Sequence, residues 1–159
     1  MYPEIENNWG LDWAWGLPLI VLTVIFHAYG LGLVGKEIGS TIGGAGRFRN
    51  VAVGSIFTMG LAALWATILH GFEGMIWCGA YRLLGALGDT KSAMLYSLSA
   101  ITSYGHENLQ LAPRWRMMGA LEALNGWILF GLTTAFLFTV MQKTWLATEN
   151  RTVKLETRN

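Results

Sequence analysis

One cysteine, Cys78, occurs in 159 residues, which excludes an intrachain disulfide and any cysteine-based zinc site. It lies in an apolar stretch, where a thiol behaves as a small buried hydrophobe. Charge is scarce as well. Charged residues make up 13% of the chain and hydrophobic residues 53%, where soluble domains carry about 25% charged residues. The net charge of +1 gives no basic surface for a polyanion, so no nucleic-acid partner is expected. No Lys or Arg precedes the first apolar segment, and Met1–Asp12 is acidic, the reverse of a secretory leader. No nucleophile–base pair and no cofactor motif is visible. The Gly35-Lys36 pair lacks a Walker spacing, and Gly39, Gly43, Gly44 and Gly46 read as a flexible turn. Neither an enzyme, a cofactor nor a metal centre is therefore expected.

What the chain does have is long apolar runs. Leu17–Val34 is broken only by His27, Val51–Leu69 is uncharged, and Met117–Met141 carries Glu122 as its one ionisable residue. Each exceeds the ~17 residues needed to cross the hydrocarbon core. The expected fold is all-α and integral to the membrane, with three transmembrane helices. Its parts are an N-terminal helix and Gly-rich loop (1–50), a two-helix module (51–143) and a tail (144–159).

The connection between the second and third spans is the informative part. A helix should continue from Gly71 to Leu87, stop at Gly88, and restart behind an N-cap at Asp89 or Thr90. Lys91–Thr102 then reads as a helix of about a dozen residues, or ~18 Å, half a membrane. A half-span is stable at membrane depth only where protein or water covers its end, so a re-entrant half-helix is expected before the last span.

Lys36, Arg47 and Arg49 in the first loop, and Lys143, Arg151, Lys154 and Arg158 in the tail, place both in the cytoplasm and the N-terminus outside. Arg82, Lys91, Arg114 and Arg116 run against this bias. Trp9, Trp13, Trp15 and Trp115 fit one aromatic belt and Trp145 the other.

The segment Ala93-Met-Leu-Tyr-Ser-Leu-Ser-Ala-Ile-Thr-Ser-Tyr-Gly105 resembles the pore helix and filter entry of the small bacterial two-transmembrane, potassium-channel-like proteins. Pro113-Arg-Trp-Arg-Met-Met-Gly-Ala-Leu-Glu-Ala-Leu-Asn-Gly126 is similar to that family's P-x-W-R-L-L-G-x-L-E-A-x-N-G, and His70-Gly-Phe-Glu73 to its outer-helix ending. The likeness covers roughly residues 65–141. It implies a pore-loop module in a bacterial inner membrane, embedded in lipid and assembled as a homo-oligomer, a tetramer if it conducts.

The filter itself departs from the pattern. Thr102, Ser103, Tyr104, Gly105, His106, Glu107 and Asn108 fall over T-T-L-G-Y-G-D, so the filter tyrosine becomes His106 and the second glycine Glu107. A carbonyl ladder needs left-handed dihedrals that glycine supplies freely, and a residue with a Cβ meets a penalty of ~1–2 kcal/mol there. Potassium selectivity is not expected. A ring of Glu107 carboxylates would favour cations with little discrimination, and a non-conducting accessory subunit of a larger complex is the alternative.

Polar residues within spans ask for a role. His70 and Glu73 share a helix face at i, i+3, as do Glu122 and Asn125. They are read as supports that satisfy the half-helix and its loop from behind. An E-x-x-H-type metal site fits less well, since the order here is H-x-x-E and the Glu122 pair lacks a histidine. A proton path through His27, His70 and Glu122 is a further reading, and His27 alone reads as a hydrogen-bonded interior histidine. Gly119, Gly126 and Gly131 permit close helix approach, and Gly126 and Gly131 are also candidate hinges.

Overall fold

In a computed structural model of the protein, residues 9–43, 51–105 and 108–156 are described. They are all-α, with helices α1 (Trp9–Gly43), α2 (Val51–Leu83), α3 (Thr90–Ile101) and α4 (Arg116–Glu156), and a 3-10 turn at Pro113–Trp115 that leads into α4. Three of these are long and apolar enough to cross a membrane, over Trp9–Glu37, Val53–Leu83 and Pro113–Leu146. The chain is thus a multi-pass membrane protein by helix length and composition. His106 and Glu107 lie outside the described residues.

By internal packing the chain divides into two units, Met1–His27 with Leu69–Phe130, and Ala28–Ile68 with Gly131–Asn159. In the second unit Ala62 and Val140 are buried among Val34, Met59, Phe136 and Leu137. Trp65 Nε1 donates to the Gly30 carbonyl at 2.9 Å, tying α2 to α1 there.

The first unit holds the larger core, with Trp77, Tyr81, Ala93, Ile101, Leu111, Trp115, Met118 and Leu121 among its buried members. Its helix ends follow from local chemistry. α2 stops at Leu83, four residues before the end predicted from sequence. Gly85 takes a φ of 64°, while Ala86 N–H bonds back to Tyr81 O (2.9 Å) and Gly85 N–H to Arg82 O (3.2 Å). This paired return is a Schellman cap, and it uses the glycine that carries no Cβ penalty. At the start of α3, Asp89 is the N-cap and accepts from Ser92 N–H at 2.9 Å. That bond holds its carboxyl below the usual carboxylate range.

α4 begins with help from far away in the chain. Asp12 of α1 accepts from Met118 N–H at 3.2 Å, satisfying a first-turn donor with a negative charge. Trp115 Nε1 donates to Leu84 O at 3.1 Å and Ala112 N–H to Ala86 O at 3.0 Å, fastening the start of α4 to the end of α2. Trp115 is therefore a core residue, 3% exposed, and not the belt residue expected from sequence. Trp9, Trp13, Trp15 and Trp145 are exposed.

Candidate functional site

Two neighbouring stripes on α2 organise the first unit. Gly74, Cys78 and Tyr81 recur at i, i+4, i+7, a spacing that keeps them on one helix face, and this face meets α3 and α4. Ser97 of α3 donates to Gly74 O at 3.0 Å, and Cys78 Sγ lies 3.6 Å from Thr90 O. Tyr81 Oη donates to Glu122 Oε2 at 2.5 Å. Ser97 Oγ also bonds Glu122 Oε1 directly. Ser97, Tyr81 and Glu122 are all fully buried, so one carboxyl on α4 gathers a hydroxyl from α2 and another from α3. A buried carboxyl without such partners would cost several kcal/mol.

Small residues let α3 approach this closely. A Cβ on Gly126 would land on the backbone carbonyl of Ile101, and one on Gly119 would land on the Tyr96 hydroxyl. Tyr96 in turn packs edge-on against Tyr81, with ring centroids 5.5 Å apart. A Cβ on Gly131 meets nothing within 4 Å. Of the two candidate hinge glycines, Gly126 is thus a contact with α3, while Gly131 makes no such contact.

His70 and Glu73 lie one step around α2 from the Gly74 stripe, and they meet α1. Glu73 is fully buried, and His27 Nδ1 lies 2.6 Å from its Oε1, at hydrogen-bond distance. His70 Nδ1 lies 3.1 Å from Glu73 Oε2, within ion-pair distance but off the hydrogen-bond direction. The two imidazole rings are 4.9 Å apart. Asn125 also reaches α1, donating from Nδ2 to Thr23 Oγ1 at 2.8 Å. Of the four expected supports, Glu122 therefore touches α3 itself, while Glu73 and Asn125 anchor α1. The reason is angular, because each residue along a helix turns the side chain by about 100°.

The filter-like loop begins as a helix cap. Ser103 has a φ of 54° and Gly105 of 77°. Ser103 N–H bonds to Ala100 O and Tyr104 N–H to Ser99 O, both at 2.9 Å, the same Schellman pattern that ends α2. Here the left-handed position is filled by serine instead of glycine. Thr102 Oγ1 donates to Leu98 O at 2.7 Å. Thr102, Ser103, Tyr104, Gly105 and Asn108 are all exposed. The Ser103 hydroxyl accepts from Trp127 Nε1 at 3.1 Å. A cleft of about 490 Å³ beside the loop is lined by Tyr96, Ser99, Ser103, Gly105, Gln110 and Arg116.

No family model, curated protein or solved structure matches the chain.

Several partners in this site carried no signal as isolated residues. Ser97, Tyr81 and Thr23 are ordinary polar residues in apolar helices, and Asp12 belongs to an acidic N-terminal stretch. Their roles come from what faces them.

Proposed function

We propose that the chain is a pore-loop, ion-channel-like membrane protein that passes cations with little selectivity among them. The observation that carries this reading is the locked short helix. α3 is capped at both ends, held by Ser97 between Gly74 and Glu122, and followed by left-handed Ser103 and Gly105 before the chain returns to α4. Its 12 residues span about 18 Å, half a bilayer, the length that a re-entrant half-helix would need. The likeness of residues 93–126 to the small bacterial potassium-channel-like proteins supports the same reading. Four copies would surround an axis, and four Glu107 carboxylates would draw cations to the mouth. The basic first loop and tail favour an N-terminus outside and a C-terminus in the cytoplasm, and the likeness to the bacterial proteins favours a bacterial inner membrane.

A second reading is a non-conducting accessory subunit of a larger membrane complex that keeps the channel-like fold. It is favoured by the backbone of the loop. The N–H groups of Ser103, Tyr104 and Gly105 bond back to α3 carbonyls, forming a helix cap over the residues where an extended carbonyl ladder would start.

Purified protein in planar bilayers, with sodium on one side and potassium on the other, separates the two when combined with the particle mass in detergent. A ring of four copies with a reversal potential near zero supports the cation pore. Reversal at the potassium equilibrium potential contradicts weak selectivity. No current, with one copy among foreign chains in the native particle, selects the accessory role.

A further inference from the structure

The first span has no part in a two-helix pore-loop module, yet it supplies one of three groups that converge on a point. A ring nitrogen of His27 from α1, and a ring nitrogen of His70 and a Glu73 carboxylate oxygen from α2, all lie within 4.8 Å of one another. We propose that His27, His70 and Glu73 bind one divalent first-row transition-metal ion, of which zinc is the reference case.

The donor set is the first argument. Two imidazole nitrogens and one carboxylate oxygen form a three-ligand zinc set that leaves a fourth position open, and imidazole nitrogen is a favoured ligand for zinc, copper, nickel and iron. Spacing is the second. Metal–ligand bonds of about 2.0–2.2 Å put tetrahedral ligand atoms roughly 3.3 Å apart. His70 Nδ1 and Glu73 Oε2 are already 3.1 Å apart. The 2.6 Å separation between His27 Nδ1 and Glu73 Oε1 would open by a fraction of an ångström as the ion replaces a shared proton.

Charge and bonding add a third argument. Glu73 is fully buried, and the ion-pair partners it has among the described residues are these two imidazoles, with no Lys or Arg. Its Oε2 has no aligned hydrogen-bond donor among the described residues. A buried carboxylate needs a counter-charge. A cation seated between Oε2 and His70 Nδ1 provides it and replaces the misaligned contact with two coordinate bonds. The His70 side chain is 26% exposed while the other two are fully buried. The ion would clamp α1 to α2 one residue away from Gly74, where α3 docks.

The chain has three histidines, which makes a direct test clean. Full-length protein without an affinity tag, stripped with chelator in detergent, is titrated with Co²⁺ and with Zn²⁺. One equivalent per chain is expected, with the intense visible bands of low-coordinate Co²⁺ that zinc then displaces, and with a higher melting temperature for the metal-loaded protein. His106→Ala removes the third histidine and should keep both readouts. His70→Ala and Glu73→Gln should each weaken binding at least a hundredfold and abolish the bands. The partly exposed His70 is the safer variant should Glu73→Gln fail to fold. No stoichiometric binding below millimolar metal, or binding and spectra unchanged in His70→Ala, would overturn the site and leave a proton as the group that holds Glu73 to its histidines.

Discussion

Ser97 of α3 and Glu122 of α4, 25 positions apart, share a direct hydrogen bond in the fully buried interior of the first unit. The same serine reaches the Gly74 carbonyl of α2, and the same carboxyl receives the Tyr81 hydroxyl. Three helices therefore meet on one polar node within an apolar core. Glu122→Ala would strand the Tyr81 hydroxyl, while Ser97 keeps the Gly74 carbonyl as its acceptor, and an unsatisfied buried group costs about 1–3 kcal/mol. The melting temperature in detergent should fall by an amount equivalent to roughly 1–3 kcal/mol. Glu122→Gln can donate to Ser97 and accept from Tyr81, so it should retain most of that stability. Equal melting points for wild type and the alanine variant would remove the node from the fold's essential contacts.

Gly126 and Gly131 lie on the same helix and offer an internal control. Gly126→Ala drives a methyl into the Ile101 backbone, and overpacking of this kind costs about 1–3 kcal/mol or more. Gly131→Ala meets open space, and the gain in helix propensity is up to about 1 kcal/mol. Thermal melts should separate the two variants in opposite directions. A Gly126→Ala protein as stable as Gly131→Ala would mean that α3 does not dock as closely as its contacts imply.

Asp89 makes α3 sensitive to acid. Its carboxyl is held below the usual range by the Ser92 N–H bond, so it gives up its proton more readily when folded than when unfolded. Such a group adds stability above its unfolded pKa, and that stability is lost as pH falls through the folded value. Relative to the intrinsic exchange rate, the protection of α3 amides should fall on acidification below about pH 4 in the wild type. Asp89→Asn keeps a capping acceptor but cannot titrate, and should flatten this dependence. An identical pH profile in both proteins would exclude the cap as its source.

The orientation is checked by single cysteines at positions 5, 42 and 150 in a Cys78→Ala background. A membrane-impermeant reagent added to intact cells should label position 5 alone. Labelling at 42 or 150 with position 5 silent would invert the topology.

The spans and the short helix were legible in the chain because both are local properties. Apolar runs long enough at 1.5 Å per residue must cross a bilayer or be buried, and α3 begins one residue before its predicted start, behind Asp89, one of the two cap residues that the sequence offered. The end of α2 was misplaced because Gly85, Leu87 and Gly88 all lie near a stop, and only the Schellman bonds to Tyr81 and Arg82 choose Gly85. The partners were not legible at all. A helix that is apolar on every side carries no stripe to say which face turns inward, so periodicity could not assign Glu122 to Ser97 or Glu73 to His27. Asp12 meets Met118 across 106 positions, and Glu73 meets His27 across 46. The sequence by itself determined the three apolar spans and the short helix between the last two. Which polar groups they bring together was decided only by the rotation of each helix about its own axis, which is fixed where Gly74, Gly119 and Gly126 let α3 settle against its neighbours.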